Sequence, residues 1–146
     1  MYELVPDDFV VPAGLDHERF RLRMLTVGEV VKDFEAICER VDHEGAPQPP
    51  FVETVAENLV DLGWHQKEFE LRRSFAYTIV APDESRVLGC AYINPSETHD
   101  ARVRMWVRRD AYEAGLDPLV EAALREWLER EWPFGRVDWA ERGQTR

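Results

Sequence analysis

Two kinds of hydrophobic periodicity alternate along this chain and predict a single α/β domain. Short apolar runs, or apolar residues that alternate with polar ones, predict strands at 20–25, 75–81, 87–93, 103–107 and 136–140. Apolar residues three and four apart predict helices from Thr26 to Val41, from about Phe51 to Leu62, and from Asp117 to Trp132. We assign 1–18 to an irregular N-terminal arm, 19–141 to the folded domain and 142–146 to a polar tail.

The predicted helices have N-terminal capping signals and apolar faces. Thr26 and Glu29 have the spacing of a capping box for the first helix. The second helix is expected to turn these residues inward: Val52, Val55, Ala56, Leu59 and Val60. The pattern of 64–73 fits either a short helix or a bent approach to the next strand. Cys38 and Cys90 both lie on predicted buried faces. Because buried cysteines of this kind are usually unpaired, we expect both to be reduced thiols.

The long third helix follows a glycine turn, Gly115-Leu-Asp117-Pro118. Gly115 suits a positive φ angle, Asp117 is predicted to cap the helix, and Pro118 suits its first position. A helix start of this kind offers unpaired backbone N–H groups and a partial positive charge to an anion such as phosphate. The turn is therefore a candidate ligand site.

Composition and net charge exclude some classes of binding partner. The 146 residues are 45% hydrophobic and 32% charged, as in a globular domain, and the net charge is −11. This acidity argues against binding nucleic acid or an anionic membrane surface, because both need a basic footprint. No apolar run is long enough to span a bilayer and no secretory signal is evident, so we expect a cytoplasmic location.

The spacing of the candidate residues does not favour a metal site or a catalytic nucleophile. Asp16-His17-Glu18, Asp42-His43-Glu44 and His99-Asp100 lie in predicted loops, and neighbouring side chains point apart rather than chelate together. No Gly-x-Ser-x-Gly elbow is present. We therefore predict no metal site.

Three segments carry a resemblance to a known family: the strand end Leu88-Gly-Cys-Ala-Tyr-Ile-Asn-Pro95, the strand end Met-Trp-Val107, and the turn Tyr112-x-x-Gly115-x-Asp117. With the element order, they make the chain resemble the GCN5-related N-acetyltransferases (GNAT). The family turn reads Arg/Gln-x-x-Gly-x-Gly/Ala and binds a pyrophosphate, and only its middle glycine is present here. The resemblance implies a mixed, mostly antiparallel sheet flanked by helices, without the family's usual C-terminal helix and last strands.

The resemblance also implies transfer of an acetyl group from acetyl-CoA to a small-molecule or peptide amine. It gives coenzyme contacts to residues of the strand and the turn: Met105, Trp106, Val107, Tyr112, Gly115 and Leu116. Candidates for proton transfer are Tyr92, His65 and Glu68, with Glu57 also available. The negative net charge favours a cationic acceptor through long-range steering. The alternative is a non-catalytic protein of the same fold that binds another ligand or serves in assembly.

The family's last strands would cover one edge of the sheet. Without them the edge would be exposed, and exposed strand edges recruit partners. We therefore predict a homodimer through the C-terminal sheet edge. The resemblance also places pantetheine in a gap where 103–107 and 136–140 splay apart, so fully paired strands there would argue against an enzyme.

Overall fold

The structure, a computed structural model, describes residues 3–142 and contains one seven-stranded sheet with helices on both faces. The strands are β1 Gly14–Asp16, β2 Arg21–Met24, β3 Arg40–Val41, β4 Phe75–Val80, β5 Val87–Asn94, β6 Ala101–Arg108 and β7 Val137–Asp138. The helices are α1 Val30–Ile37, α2 Val55–Glu70, α3 Arg109–Glu113 and α4 Leu116–Glu131. The predicted mixed α/β domain is confirmed.

The sheet is antiparallel except at one pair. Its order is β1-β2-β4-β5-β6-β3, and β7 also pairs with β6, in the parallel direction. The central strand β5 is buried along nearly its whole length because helices cover both of its faces. The β4–β5 hairpin and the β6–α4 order were both predicted from the hydrophobic pattern.

Two separate cores lie on the two faces of the sheet. Helix α4 packs Val120, Leu124 and Trp127 against one face, where they meet Tyr77 and Met105. Helices α1 and α2 cover the other face with a smaller core that contains these residues: Leu25, Ala36, Ile37, Leu62, Ala76, Val80, Val87, Cys90, Tyr92 and Trp106. Alternate residues of β5 and β6 therefore point into different cores.

The second helix differs most from its prediction. It begins at Val55 and continues to Glu70, so the ambiguous segment 64–73 is mostly helical. Thr54, not Thr26, caps a helix: its side chain accepts a hydrogen bond from the Glu57 N–H. Most of the predicted inward face was wrong, because Leu62 is the apolar residue that α2 buries and these predicted residues are exposed: Val55, Ala56, Leu59 and Val60. Val52, which precedes the helix, does pack partly against the smaller core.

Three smaller expectations also fail. Residues 14–16, placed in an irregular arm, form β1 and pair with β2. The first helix ends at Ile37, and Val41 belongs to a strand. Cys38 is exposed at the end of that helix, whereas Cys90 is buried as predicted.

None of the helices in the described part of the chain is long and apolar enough to cross a bilayer.

The outer edge of β6 is shared by two short strands. At its start Ala101 and Arg102 pair with β7, and at its end Val107 and Arg108 pair with β3. The edge through which we predicted a homodimer is thus partly covered by the chain's own β3. The homodimer stays a prediction.

Candidate functional site

The gap between β6 and β7 is where the resemblance places the coenzyme. The two strands pair only at Ala101–Val137 and Arg102–Asp138, so they do part before Met105. The carbonyl of Met105 instead accepts a hydrogen bond of 3.4 Å from Nη2 of Arg142. The pairing stops because β7 has only two residues, so the splay that the resemblance implies stays a prediction, and an arginine of this chain lies on the edge of β6 beyond β7.

Arg142 is held there by two carboxylates from the first turns of α4. Its Nη1 lies 2.7 Å from Oδ1 of Asp117 and 3.0 Å from Oε1 of Glu121, and its Nη2 donates to Oδ2 of Asp117 at 2.8 Å. All three side chains are buried. Glu121 also pairs with Arg125 at 2.9 Å. The cluster therefore balances two acids against two guanidinium groups, as a buried ionic network requires.

The predicted cap of α4 was wrong. Gly115, with φ 83°, precedes the helix, which begins at Leu116, and the Asp117 carboxylate turns to Arg142 rather than to the helix start. Arg142 was assigned to a polar tail, yet it is buried. The other tail residues, 143–146, lie outside the described residues.

The connection between α1 and α2 covers the remaining part of the predicted coenzyme path. The carbonyl of Glu39 accepts a 2.9 Å hydrogen bond from the Arg109 N–H, just after β6 ends. Farther along, the loop places Gly45 against the Tyr112 ring so closely that a Cβ atom at Gly45 would lie 2.7 Å from it. The edge of β6 from Met105 to Val107, where the resemblance places the coenzyme, is therefore occupied by β3 and Arg142.

The other face of the sheet brings two predicted catalytic candidates together. The Tyr92 hydroxyl accepts a 3.0 Å hydrogen bond from Nε1 of Trp106, and the His65 ring lies 5.5 Å from the Tyr92 ring. Burial raises the pKa of Tyr92 well above its usual value. Burial also lowers the pKa of His65, although Asp61, 3.6 Å from its Nε2, acts in the opposite direction. At neutral pH the pair thus holds a neutral imidazole beside a protonated phenol.

Glu68, the third candidate, is tied to other partners. Its Oε2 lies 2.6 Å from Arg73 and 3.1 Å from Lys67. Burial raises the pKa of Glu68, but the hydrogen bonds from Arg73 and Lys67 lower it by more, so the net pKa is below its usual value and the group stays ionised. A carboxylate held by two cations is a poor proton acceptor.

An aromatic and basic surface adjoins Tyr92. The Arg104 guanidinium lies 5.3 Å from the centre of the Tyr92 ring, and that of Arg40 lies 3.9 Å from the centre of Phe51. The Phe51 ring in turn contacts Trp106 edge-on. Sequence reasoning missed Arg40, Phe51 and Arg142, since they come from a two-residue strand, a loop and the predicted tail. The outward position of Arg104 was readable from the alternation of β6.

Comparison with known proteins identifies the fold. No family model matches the sequence, and no curated protein matches it significantly. Among solved structures, a putative ribosomal-protein-serine acetyltransferase from Vibrio cholerae has a TM-score of 0.69 at 15% identity, over 91% of this chain and 73% of that one. A putative GNAT-family acetyltransferase from Bordetella pertussis gives 0.67 at 16% identity, over 86% and 76%.

A third structure bears on the ligand. The ribosomal-protein acetyltransferase RimL in complex with coenzyme A has a TM-score of 0.54 at 15% identity, over 82% of this chain and 68% of that one. The chain therefore has the fold of GNAT-family acetyltransferases.

Within the described residues, no group of three or more His, Cys, Asp or Glu side chains is placed so that it could hold a metal ion.

Proposed function

We propose that this chain, which has the fold of the GNAT acetyltransferases, is a cytoplasmic N-acetyltransferase that uses acetyl-CoA and acts on a small-molecule or peptide amine. The observation that carries the proposal is the contact of His65 and Tyr92 on one face of the sheet. Tyr92 lies directly across from Arg104 in β6, in the part of that strand that has left β7.

The two side chains suit the proton transfers of acetylation. An ammonium group must lose a proton before its nitrogen attacks, and a neutral His65 can accept that proton. The leaving thiolate must gain a proton, and the phenol of Tyr92 retains one at neutral pH. Trp106 fixes the direction of the Tyr92 hydroxyl by donating to its oxygen. The proposal therefore assigns His65 as base and Tyr92 as acid.

The covered edge of β6 sets a condition on this activity. Because β3 and Arg142 occupy the path along Met105 to Val107, both must leave before coenzyme A can lie there. The proposed coenzyme contacts of Tyr112, Gly115 and Leu116 depend on the same opening, since the Gly45 loop packs on Tyr112.

The test is acetyl transfer to a panel of amines, followed by mass spectrometry of the products and of released coenzyme A. We expect His65→Gln and Tyr92→Phe each to reduce turnover by about 100-fold, the usual contribution of a positioned acid or base. His99→Gln, which changes a loop histidine, is the control and should leave turnover unchanged. Full activity in both site variants would refute the assigned roles, and no transfer to any amine would refute the enzyme.

The covered edge also favours a second candidate, a non-catalytic protein of this fold. The Met105 carbonyl of β6 is already bonded to Arg142, and the N–H of Arg109, just after β6, is bonded to Glu39, as they would be in a protein that no longer binds the coenzyme. Calorimetric titration with acetyl-CoA separates the two candidates. Binding supports the transferase, and absence of binding, even in a variant with a loosened β3, supports the non-catalytic protein.

A further inference from the structure

We propose that the surface between Arg40 and Arg104 binds a small organic anion, a carboxylate or phosphate carried on a flat apolar body. Neither the resemblance nor the comparisons assign a ligand to this surface. It consists of the Arg104 guanidinium over Tyr92, the Arg40 guanidinium over Phe51, and the Trp106 ring that contacts Phe51.

The charges of this surface are unbalanced. Among the described residues, neither Arg40 nor Arg104 has a carboxylate at salt-bridge distance, although the chain carries 29 acids against 18 basic residues. Several other arginines do form such pairs, as Arg108 does with Glu39 and Arg142 with Asp117. Other arginines of the described chain, such as Arg102 and Arg136, also lack such a partner, but Arg104 lies near enough to lower the pKa of Arg40, so one external anion would neutralise two neighbouring cations.

Arg40 is also incompletely bonded. It is half-buried, its Nη2 donates to the carbonyl of Pro49 at 2.9 Å, and its buried Nε has no hydrogen-bond partner. Burial lowers the pKa of Arg40, and the charge of Arg104 lowers it further against the opposing effect of Tyr92. A buried donor without a partner costs free energy, so the charge of Arg40 is incompletely compensated within the described part of the chain.

The chemistry of the surface defines the ligand. Guanidinium groups bind the paired oxygens of carboxylates and phosphates in a planar fork, which neutral or cationic ligands do not match. Phe51 is 46% exposed and stands edge-on to Trp106, so it offers apolar area beside the charges. A flat apolar body can pack on that area while its anionic group faces the arginines.

If the proposed acetyl transfer is correct, this surface also indicates the class of acceptor. His65 and Tyr92 border it, so the acceptor would be an amine that carries an anionic group and is anchored by Arg104. That identification rests on the proposed function, whereas anion binding does not. It also reverses the expectation of a cationic acceptor, because the local charge, not the net charge, faces the ligand.

The test uses calorimetry and tryptophan fluorescence on the full chain with benzoate, phenyl phosphate and neutral benzamide. We expect at least one anion to bind about tenfold more tightly than benzamide, and the tighter of the two identifies the anionic group. Arg40→Gln and Arg104→Gln should each weaken that binding by about tenfold, while Arg136→Gln, an exposed arginine elsewhere, should not.

Two further variants keep the test decisive if a glutamine variant unfolds. Arg40→Lys and Arg104→Lys retain the charge but lose the planar fork, so they should bind more weakly than wild type and more tightly than the glutamine variants. Equal binding of benzamide and the anions, no binding of either anion, or no loss in folded arginine variants would overturn the proposal. Anion binding without acetyl transfer would refute only the enzyme, and transfer without anion binding would refute only this site.

Discussion

At the scale of single residues, Asp33 shows how burial changes a carboxyl group. It lies on α1, is only 3% exposed and accepts a 2.9 Å hydrogen bond from Nδ2 of Asn58. Burial raises the pKa of Asp33 from 3.8 to about 6, against the smaller opposing effect of Asn58. The folded protein therefore binds this proton more tightly than the unfolded chain does. The stabilisation that comes from protonated Asp33 is therefore fully present below about pH 4 and is lost as the pH rises through 6.

Replacing this charge should stabilise the protein at neutral pH. Asp33→Asn retains an oxygen that can accept from Asn58 and removes a buried charge whose cost is about 3 kcal/mol at most. We expect a gain of about 1–2 kcal/mol in the free energy of unfolding at pH 7.5 and little gain at pH 4. Urea denaturation at both pH values measures it.

The exposed Asp7→Asn is the control for the general effect of removing one negative charge from an acidic chain. It should change the free energy of unfolding by less than about 0.5 kcal/mol, with the same value at both pH values. An Asp33→Asn variant that gains as little as this control, or gains equally at pH 4, would contradict the assigned burial cost.

Single residues also mark the limit of prediction for the site. Tyr92 and His65 were predicted as candidates because a strand end and a titratable ring can be recognised in sequence. Arg142 was not, because its burial depends on two carboxylates 21 and 25 residues earlier in the chain. Likewise Arg40 and Phe51 meet only because a loop folds back on itself. Contacts of this kind leave no periodic signal in the sequence.

At the scale of elements, β3 is the segment whose placement decides access to β6. Gly45 has φ 86°, and a Cβ atom there would lie 2.7 Å from the Tyr112 ring. Gly45→Ala should therefore strain the loop, push it from Tyr112 and loosen β3, at a cost of about 1–2 kcal/mol. Hydrogen exchange of the Arg109 amide, which donates to Glu39, should become faster, and acetyl-CoA should bind more tightly if the edge of β6 is its site.

Gly63→Ala is the matched control for this substitution. Gly63 lies within α2, and its added Cβ would come no closer than 3.9 Å to Val27. Because alanine favours a helix over glycine, the control should gain about 0.5–1 kcal/mol without changing exchange at Arg109. Unchanged exchange at Arg109 in Gly45→Ala would show that the loop does not hold β3 in place.

Elements with a long and regular pattern were predicted well, and short ones were not. β4, β5, β6 and α4 each carry enough apolar residues to define a face, so their periodicity identifies them. β3 has two residues and β1 three, too few to show any period, and both exist because a neighbouring strand has an edge to pair. The inward face of α2 failed because the helix is buried mainly through Leu62 and leaves apolar residues exposed.

At the scale of the whole molecule, the Arg142 cluster joins the last described residues to α4 and to the middle of β6. Removing one member of a buried ion pair leaves the other charged group without compensation, which costs more than the pair contributes. Arg142→Gln leaves Asp117 without a cation, whereas Glu121 retains Arg125 at 2.9 Å. We therefore expect Arg142→Gln to lower the free energy of unfolding by about 3 kcal/mol.

A double-mutant cycle distinguishes this coupling from general disruption. Asp117→Asn alone should also destabilise, but the double variant should lose at least about 1 kcal/mol less than the two single variants together, because no buried charge is then left without its partner. Arg130→Gln is the control: it breaks exposed ion pairs with Glu126 at 2.6 Å and with Glu131 at 3.1 Å, and it should leave the free energy of unfolding close to that of the wild type. Additive losses in the cycle would mean that Arg142 and Asp117 contribute independently. Coupled losses would mean that Arg142 leaves β6 only by giving up its pair with Asp117, so ligand access and stability would depend on the same ion pair.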